Sequence, residues 1–156
     1  MSYDRIYGKL FQGSEPPHGS ALREHGFDVL VLCAEEIQPS EDCFPGIEVI
    51  RAPNDDGFKM TDEQGRTATA AAKAVVDRLR AGKTVLVTCA MGINRSGLVS
   101  ALSIHYLTGR SGRDCVRLVQ TRRKGALRNP TFVTALSRLK ARFSDPRLEA
   151  FGYKIP

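Results

Sequence analysis

A chain of 156 residues with 42% hydrophobic content and a formal charge of +6 holds enough apolar material for one sizeable core and little for a second, so a single domain spanning residues 1–156 is expected. No apolar run approaches the eighteen or so residues of a membrane span, and the opening "MSYDRIYGKL" lacks the basic-then-apolar layout of a signal peptide, which points to a cytoplasmic protein with no membrane partner. Cys33, Cys43, Cys89 and Cys115 include no C-x-x-C pair, and His18, His25 and His105 include no pair at ligand spacing, so neither a disulfide scaffold nor a metal site is expected.

In chain order, "RIYGKLFQGS" reads as a strand running into a turn, and "GSALREHG" as a short helix stopped by Gly26. "FDVLVLCAEE" carries the continuous apolar run of a strand buried on both faces. "IEVIRAPND" is a further strand, ended by Pro53 and an acidic loop. Thr61 and Gln64 match a capping box, after which Ala68, Ala72, Val75, Val76 and Leu79 recur at helical spacing up to Gly82. "KTVLVTC" is the most apolar strand and belongs at the sheet centre, while "SGLVSALSIHYLTG" is apolar nearly all round, as a buried helix is. Two more helices follow. Ser111 starts one, with Asp114 as its box partner; Asn129 starts the other, with Pro130 at its first position and Phe132, Val133, Leu136, Leu139 and Phe143 as its inner face. The tail over 144–156 either packs as an arm or frays. Strands alternating with helices early and helices alone late predict a three-layer α/β fold with a central, mostly parallel sheet flanked by helices.

The stretch "VTCAMGINRSG", residues 87–97, sets Cys89 and Arg95 six positions apart where the central strand meets the buried helix. A strand, a short glycine-bearing loop and a helix make an anion site, because the N–H groups of Ala90, Met91, Gly92, Ile93, Asn94 and Arg95 can converge on one point with the helix dipole behind them. The same array stabilises a thiolate at Cys89. Gly92 lets the backbone turn without a side chain crowding the centre. The planar guanidinium of Arg95 offers two parallel hydrogen bonds to a phosphoryl group, and the hydroxyl of Ser96 can reach the Cys89 sulfur. The plainer alternative makes Cys89 a packing residue at a strand end and Arg95 a solvated side chain.

These residues resemble the C-x5-R-[ST] signature of the cysteine-dependent protein phosphatases, most closely the compact dual-specificity branch. The likeness runs over roughly residues 5–140: "RIYGKLFQGS" looks like the family's first strand, "FDVLVLCAEE" like the strand before its variable loop, "IRAPNDD" like its general-acid loop and "VQTRRKGALRNPTF" like its last shared segment. The resemblance implies a cofactor-independent, monomeric phosphatase acting on phosphotyrosine and/or phosphoserine/threonine in proteins or peptides, by way of a cysteinyl-phosphate on Cys89. It implies that Asp55, which matches the family position better than Asp56, is the general acid. Asn129 resembles the asparagine that braces the phosphate loop, and it also suits an N-cap. Arg122, Arg123, Lys124 and Arg128 lie, by the same resemblance, near the substrate face, or else form a solvated helix face. Thr88 departs from the pattern, since the family usually has a histidine there that hydrogen-bonds the loop backbone.

Alternative readings are a phosphate-binding protein without turnover, for which Thr88 is the support, and an RNA 5′-triphosphatase, to whose G-x-N-R-[ST]-G stretch "GINRSG" is similar. The absence of lysine from "AMGIN" speaks against a phosphoinositide substrate, and the acidic loop against rhodanese-like sulfur transfer. Position 89 disfavours low-molecular-weight phosphatases and arsenate reductases, whose loop lies near the N-terminus. Cys33, at the carboxyl end of its strand, is either a packing residue or a redox partner for Cys89.

Overall fold

The computed structural model describes residues 1–142. Its centre is a five-stranded sheet built from β1 (Tyr3–Tyr7), β2 (Leu10–Gly13), β3 (Val29–Ala34), β4 (Glu48–Asn54) and β5 (Val85–Thr88), in the order β1-β2-β5-β3-β4. Only β1 and β2 are antiparallel; β2, β5, β3 and β4 run parallel to one another. "RIYGKLFQGS" is thus a hairpin rather than one strand and a turn, because Gly8 takes a left-handed φ of 57° and reverses the chain. The helices are α1 (Ala21–Glu24), α2 (Asp62–Arg80), α3 (Arg95–Thr108), α4 (Gly112–Arg122) and α5 (Pro130–Ser137).

Alternation along the inner strands divides the apolar side chains between two faces. Val29, Val31 and Cys33 of β3, with Val85 and Val87 of β5, join the large cluster under α2, α3, α4 and α5. Leu30, Leu32 and Leu86 point the other way, into a smaller cluster closed by Leu22 of α1, Phe27 and Phe44. The three-layer arrangement expected from the sequence is therefore present, with a thin second layer. Helix α3 is buried along its whole length apart from Tyr106, which matches its apolar sequence and puts its N-terminus directly after central β5.

Local sequence explains most boundaries. Thr61 and Gln64 form the reciprocal capping box that starts α2. At α4 the box is only half made: Ser111 Oγ accepts from Asp114 N at 3.2 Å, whereas the Asp114 carboxylate turns to Arg117 one turn on. Pro53 does not end its strand. β4 continues to Asn54, since it is an edge strand with a register shift opposite Leu32/Ala34, where a missing N–H costs no ladder bond. Helix α5 stops at Ser137, so Leu139 packs on the core from beyond the helix, and Phe143 and the tail lie outside the described residues.

Candidate active site

The loop over residues 89–94 joins β5 to α3, and its peptide groups are sorted by direction. Every carbonyl of residues 90–94 accepts a hydrogen bond from the surrounding protein. Ala90 O accepts from Glu15 N at 3.1 Å, Ile93 O from Leu127 N at 3.0 Å and Asn94 O from Leu98 N at 2.8 Å. Gly92 O accepts from Arg123 Nε at 2.7 Å and from Gln12 Nε2 at 3.0 Å, and Met91 O from Arg123 Nη2 at 3.2 Å. None of the N–H groups of residues 90–94 donates to an acceptor among the described residues. An amide without a partner is costly where water is excluded, and five free donors in one loop make a cradle suited to an anion.

Two side chains and one backbone N–H enforce this polarity. Gln12 and Arg123 are buried, at 0% and 7% exposure, and donate into the loop from opposite strand and helix. Leu127 takes a left-handed φ of 54°, uncommon for a branched side chain, and so directs its N–H at Ile93 O. Gly92, with φ 70°, has no room for a side chain: a Cβ there would collide with the Gly13 backbone and lie 2.7 Å from Arg123 Nη2.

Cys89 sits at the base of the cradle, 5% exposed, with Ser96 Oγ 3.2 Å from its sulfur. Arg95 is buried, not solvated, at 8% exposure. Glu36 grips its two terminal nitrogens, Nη1 and Nη2, at 2.6 Å each, and Asn54 O accepts from Nη1 at 3.1 Å. Arg95 Nε, also buried, has no acceptor among the described residues. The hydrogen-bonded Arg95 guanidinium holds the Glu36 carboxyl below its usual range, and Glu36 in turn raises Arg95.

Thr88 does not stand in for a loop-bracing histidine. Its hydroxyl donates sideways to Val31 O of β3 at 2.9 Å, and the bracing is done by Arg123 and Gln12 instead. Of the basic run, Arg123 is a buried brace that also meets Asp4 and Ser2, while Arg122, Lys124 and Arg128 are exposed. Cys33 is fully buried near Cys89; burial first, and next the Cys89 charge, push its thiol well above the ordinary range, partly offset by Arg95.

The two neighbouring aspartates differ in their surroundings. Asp55 is exposed and its carboxylate has no hydrogen-bond or ion-pair partner among the described residues. Asp56 uses both oxygens, accepting from Asn94 Nδ2 at 3.0 Å and from Asn129 Nδ2 at 2.8 Å. Asn129 caps α5 through Oδ1, and its backbone N–H donates to Asn94 Oδ1 at 2.9 Å, so capping and bracing are both present. An open groove of about 750 Å³ is lined by Met60, Arg66, Lys73 and Arg138 among others, with no residue of 88–96.

The residues that spacing did not single out are Glu36, Gln12 and the bracing role of Arg123. Gln12 carried a signal, as a polar residue in an otherwise apolar strand; Glu36 and Arg123 reach the site only through tertiary folding.

Residues 10–142 match the family described as dual specificity phosphatase, catalytic domain. Among solved structures, Tk-PTP in its active form is similar with a TM-score of 0.76 and 27% identity, over 91% of this chain and 98% of that one. Human DUSP28 gives 0.72 and 25% identity, over 87% and 90%. DUSP15 shares the fold, with 0.73 and 19% identity over 96% and 91%. No curated protein sequence matches the chain.

Proposed function

This chain belongs to the dual specificity phosphatase catalytic-domain family, and on that premise we propose that it is a single catalytic domain that hydrolyses phosphate monoesters on tyrosine and/or serine/threonine of phosphorylated proteins. The observation that carries this reading is the sorted loop: carbonyls tied outward at residues 90–94, N–H groups without an acceptor among the described residues, and Cys89 at the base. Such an array offers its donors to the equatorial oxygens of a phosphoryl group without reorganisation.

The Cys89 thiolate attacks phosphorus; an S–P bond forms and the bond to the leaving oxygen breaks. Asp55 gives that oxygen its proton, the loop amides and the Nε edge of Arg95 hold the transferred group, and Ser96 donates to the sulfur. Asp55, now a carboxylate, takes a proton from water as it attacks phosphorus. The S–P bond breaks, inorganic phosphate leaves and the thiolate returns. Asp55 is favoured over Asp56 as the acid because both Asp56 oxygens are already engaged.

The test is steady-state turnover of 4-nitrophenyl phosphate, phosphotyrosyl and phosphothreonyl peptides and 5′-triphosphorylated RNA by wild type, Cys89→Ser and Asp55→Asn. Turnover lost in Cys89→Ser, and peptide hydrolysis lowered about 10²- to 10⁴-fold in Asp55→Asn, is the expected result. Binding without turnover by wild type would mark a phosphate-binding protein, and preferred RNA turnover indifferent to Asp55→Asn a triphosphatase.

A further inference from the structure

An open groove runs between the first half of α2 and the far end of α5. Its wider part, of about 750 Å³, is lined by Arg66, Thr69, Ala70 and Lys73 of α2, by Met60 and by Arg138. Those four α2 residues fall at i, i+3, i+4 and i+7, so one face of the helix is turned to the groove. A narrower part, of about 360 Å³, shares Met60 and Arg138 and continues beside α5 to Thr131 and Pro130. The groove therefore ends one residue from Asn129, whose N–H donates to Asn94 Oδ1 of the phosphate loop at 2.9 Å.

The charge of this groove is one-sided. Arg66, Lys73 and Arg138 are exposed; among the described residues they form no ion pair, and Asp62 is the one carboxylate that lines the groove. Asp62 stands in the first turn of α2, where the helix dipole already favours it. Lys73 is held over the ring of Tyr106, with Nζ 5.3 Å from the centroid. Three cations gathered at one groove repel one another, and an anionic occupant relieves that repulsion. Met60, which also packs on the core, and Ala70 add apolar surface to the same groove. No aromatic ring among the described residues lines either part, so the stacking platforms that single-stranded nucleic acid uses are missing, whereas an acidic peptide with apolar side chains meets both of its partners.

We propose that this groove is a docking site for the phosphorylated protein substrate, and that it takes an acidic stretch set some way along the chain from the phospho-residue. The proposal rests on the reading of the chain as a phosphoprotein phosphatase. The spacing follows from α5. Arg138 immediately follows that helix, which begins at Pro130, so it lies about 12 Å beyond Pro130 at 1.5 Å per residue, a length that an extended peptide covers in about four residues. With the step from the cradle to Pro130 added, the acidic side chains stand about five to nine residues from the phospho-residue.

The test is steady-state hydrolysis of phosphotyrosyl peptides of equal length that carry a block of glutamates next to the phosphotyrosine, the same block about six residues away, or glutamines in both places. Each is made with the block on the N-terminal and on the C-terminal side. On one of the two sides, the distant block should lower KM about tenfold relative to the glutamine peptide, and the near block should lower it less. Arg66→Glu/Arg138→Glu, which leaves Lys73 on its ring, should abolish that advantage, while kcat on the peptides and both constants for 4-nitrophenyl phosphate stay within about twofold. Equal gains from near and distant blocks, or an advantage that survives the double variant, overturn the proposal and leave the phosphatase reading intact. Hydrolysis of 4-nitrophenyl phosphate with no turnover of any peptide overturns both. A benzophenone-bearing residue in place of Ala70, in the Cys89→Ser protein, identifies the occupant. Crosslinking to the bound distant-block peptide supports the proposal. Crosslinking instead to a second copy or to residues 143–156 of the same chain, or displacement of that peptide by single-stranded RNA at a lower concentration than the free peptide requires, overturns it.

Discussion

Glu36 holds Arg95 by both terminal nitrogens: its two carboxylate oxygens lie 2.6 Å from Nη1 and Nη2, while the buried Nε is left without an acceptor among the described residues. A guanidinium has a fixed fork, so fastening one edge aims the other.

Glu36→Gln keeps one hydrogen bond and loses the charge. We predict that phosphate and vanadate inhibition weaken about three- to tenfold, with Glu36→Ala worse, measured by competitive inhibition of aryl phosphate turnover. The pH dependence follows from the lowered Glu36 carboxyl, whose cause is Arg95. A depressed carboxyl contributes stability that is present above its unfolded value, about 4.3 for glutamate, and is lost as pH falls through the lower folded value. The stability advantage of wild type over Glu36→Gln, read by urea unfolding, should shrink in that acid window and be constant near neutrality.

Arg123 is 7% exposed and donates to the carbonyls of Met91 and Gly92. Arg123→Ala strips those acceptors of a buried donor, at a cost of about 2 kcal/mol or more by the usual penalty for unsatisfied groups. Urea unfolding should register the loss, and the vanadate inhibition constant should rise with it. An unchanged inhibition constant would show that the loop keeps its polarity without this brace.

Thr88 donates to Val31 O and not to the loop. Thr88→Val should therefore cost stability, about 1 kcal/mol for one lost side-chain hydrogen bond, and leave kcat within about twofold. A large fall in kcat at preserved stability would restore a catalytic role for this position.

Cys33 is kept protonated at neutral pH by burial, with the neighbouring Cys89 charge acting in the same direction. A protonated thiol is a poor nucleophile toward oxidised sulfur. Mild peroxide should thus yield sulfenic and sulfinic Cys89 without a Cys33–Cys89 crosslink, as read by mass spectrometry of peptides; a crosslink at neutral pH would reverse this.

The chemistry-bearing loop was legible in the linear chain because its causes are local. Residues 85–97 contain an apolar strand, a glycine at a left-handed position and a helix N-terminus, which mark the loop locally, while Gln12, Arg123 and Leu127 complete its polarity from a distance. The capping box at Thr61 and the cap at Asn129 are of the same kind. The strand through Pro53 was not legible, since whether a missing N–H ends a strand depends on which edge of the sheet it faces. Glu36 meets Arg95 across 59 residues and Arg123 meets Met91 across 32, and that Asp56 rather than Asp55 is engaged depends on Asn94 and Asn129 arriving at it. Short-range patterns of polarity and backbone preference fix what a segment can do. Which charged side chain is engaged, and which is left free to react, is decided only when distant donors and acceptors meet in the folded chain.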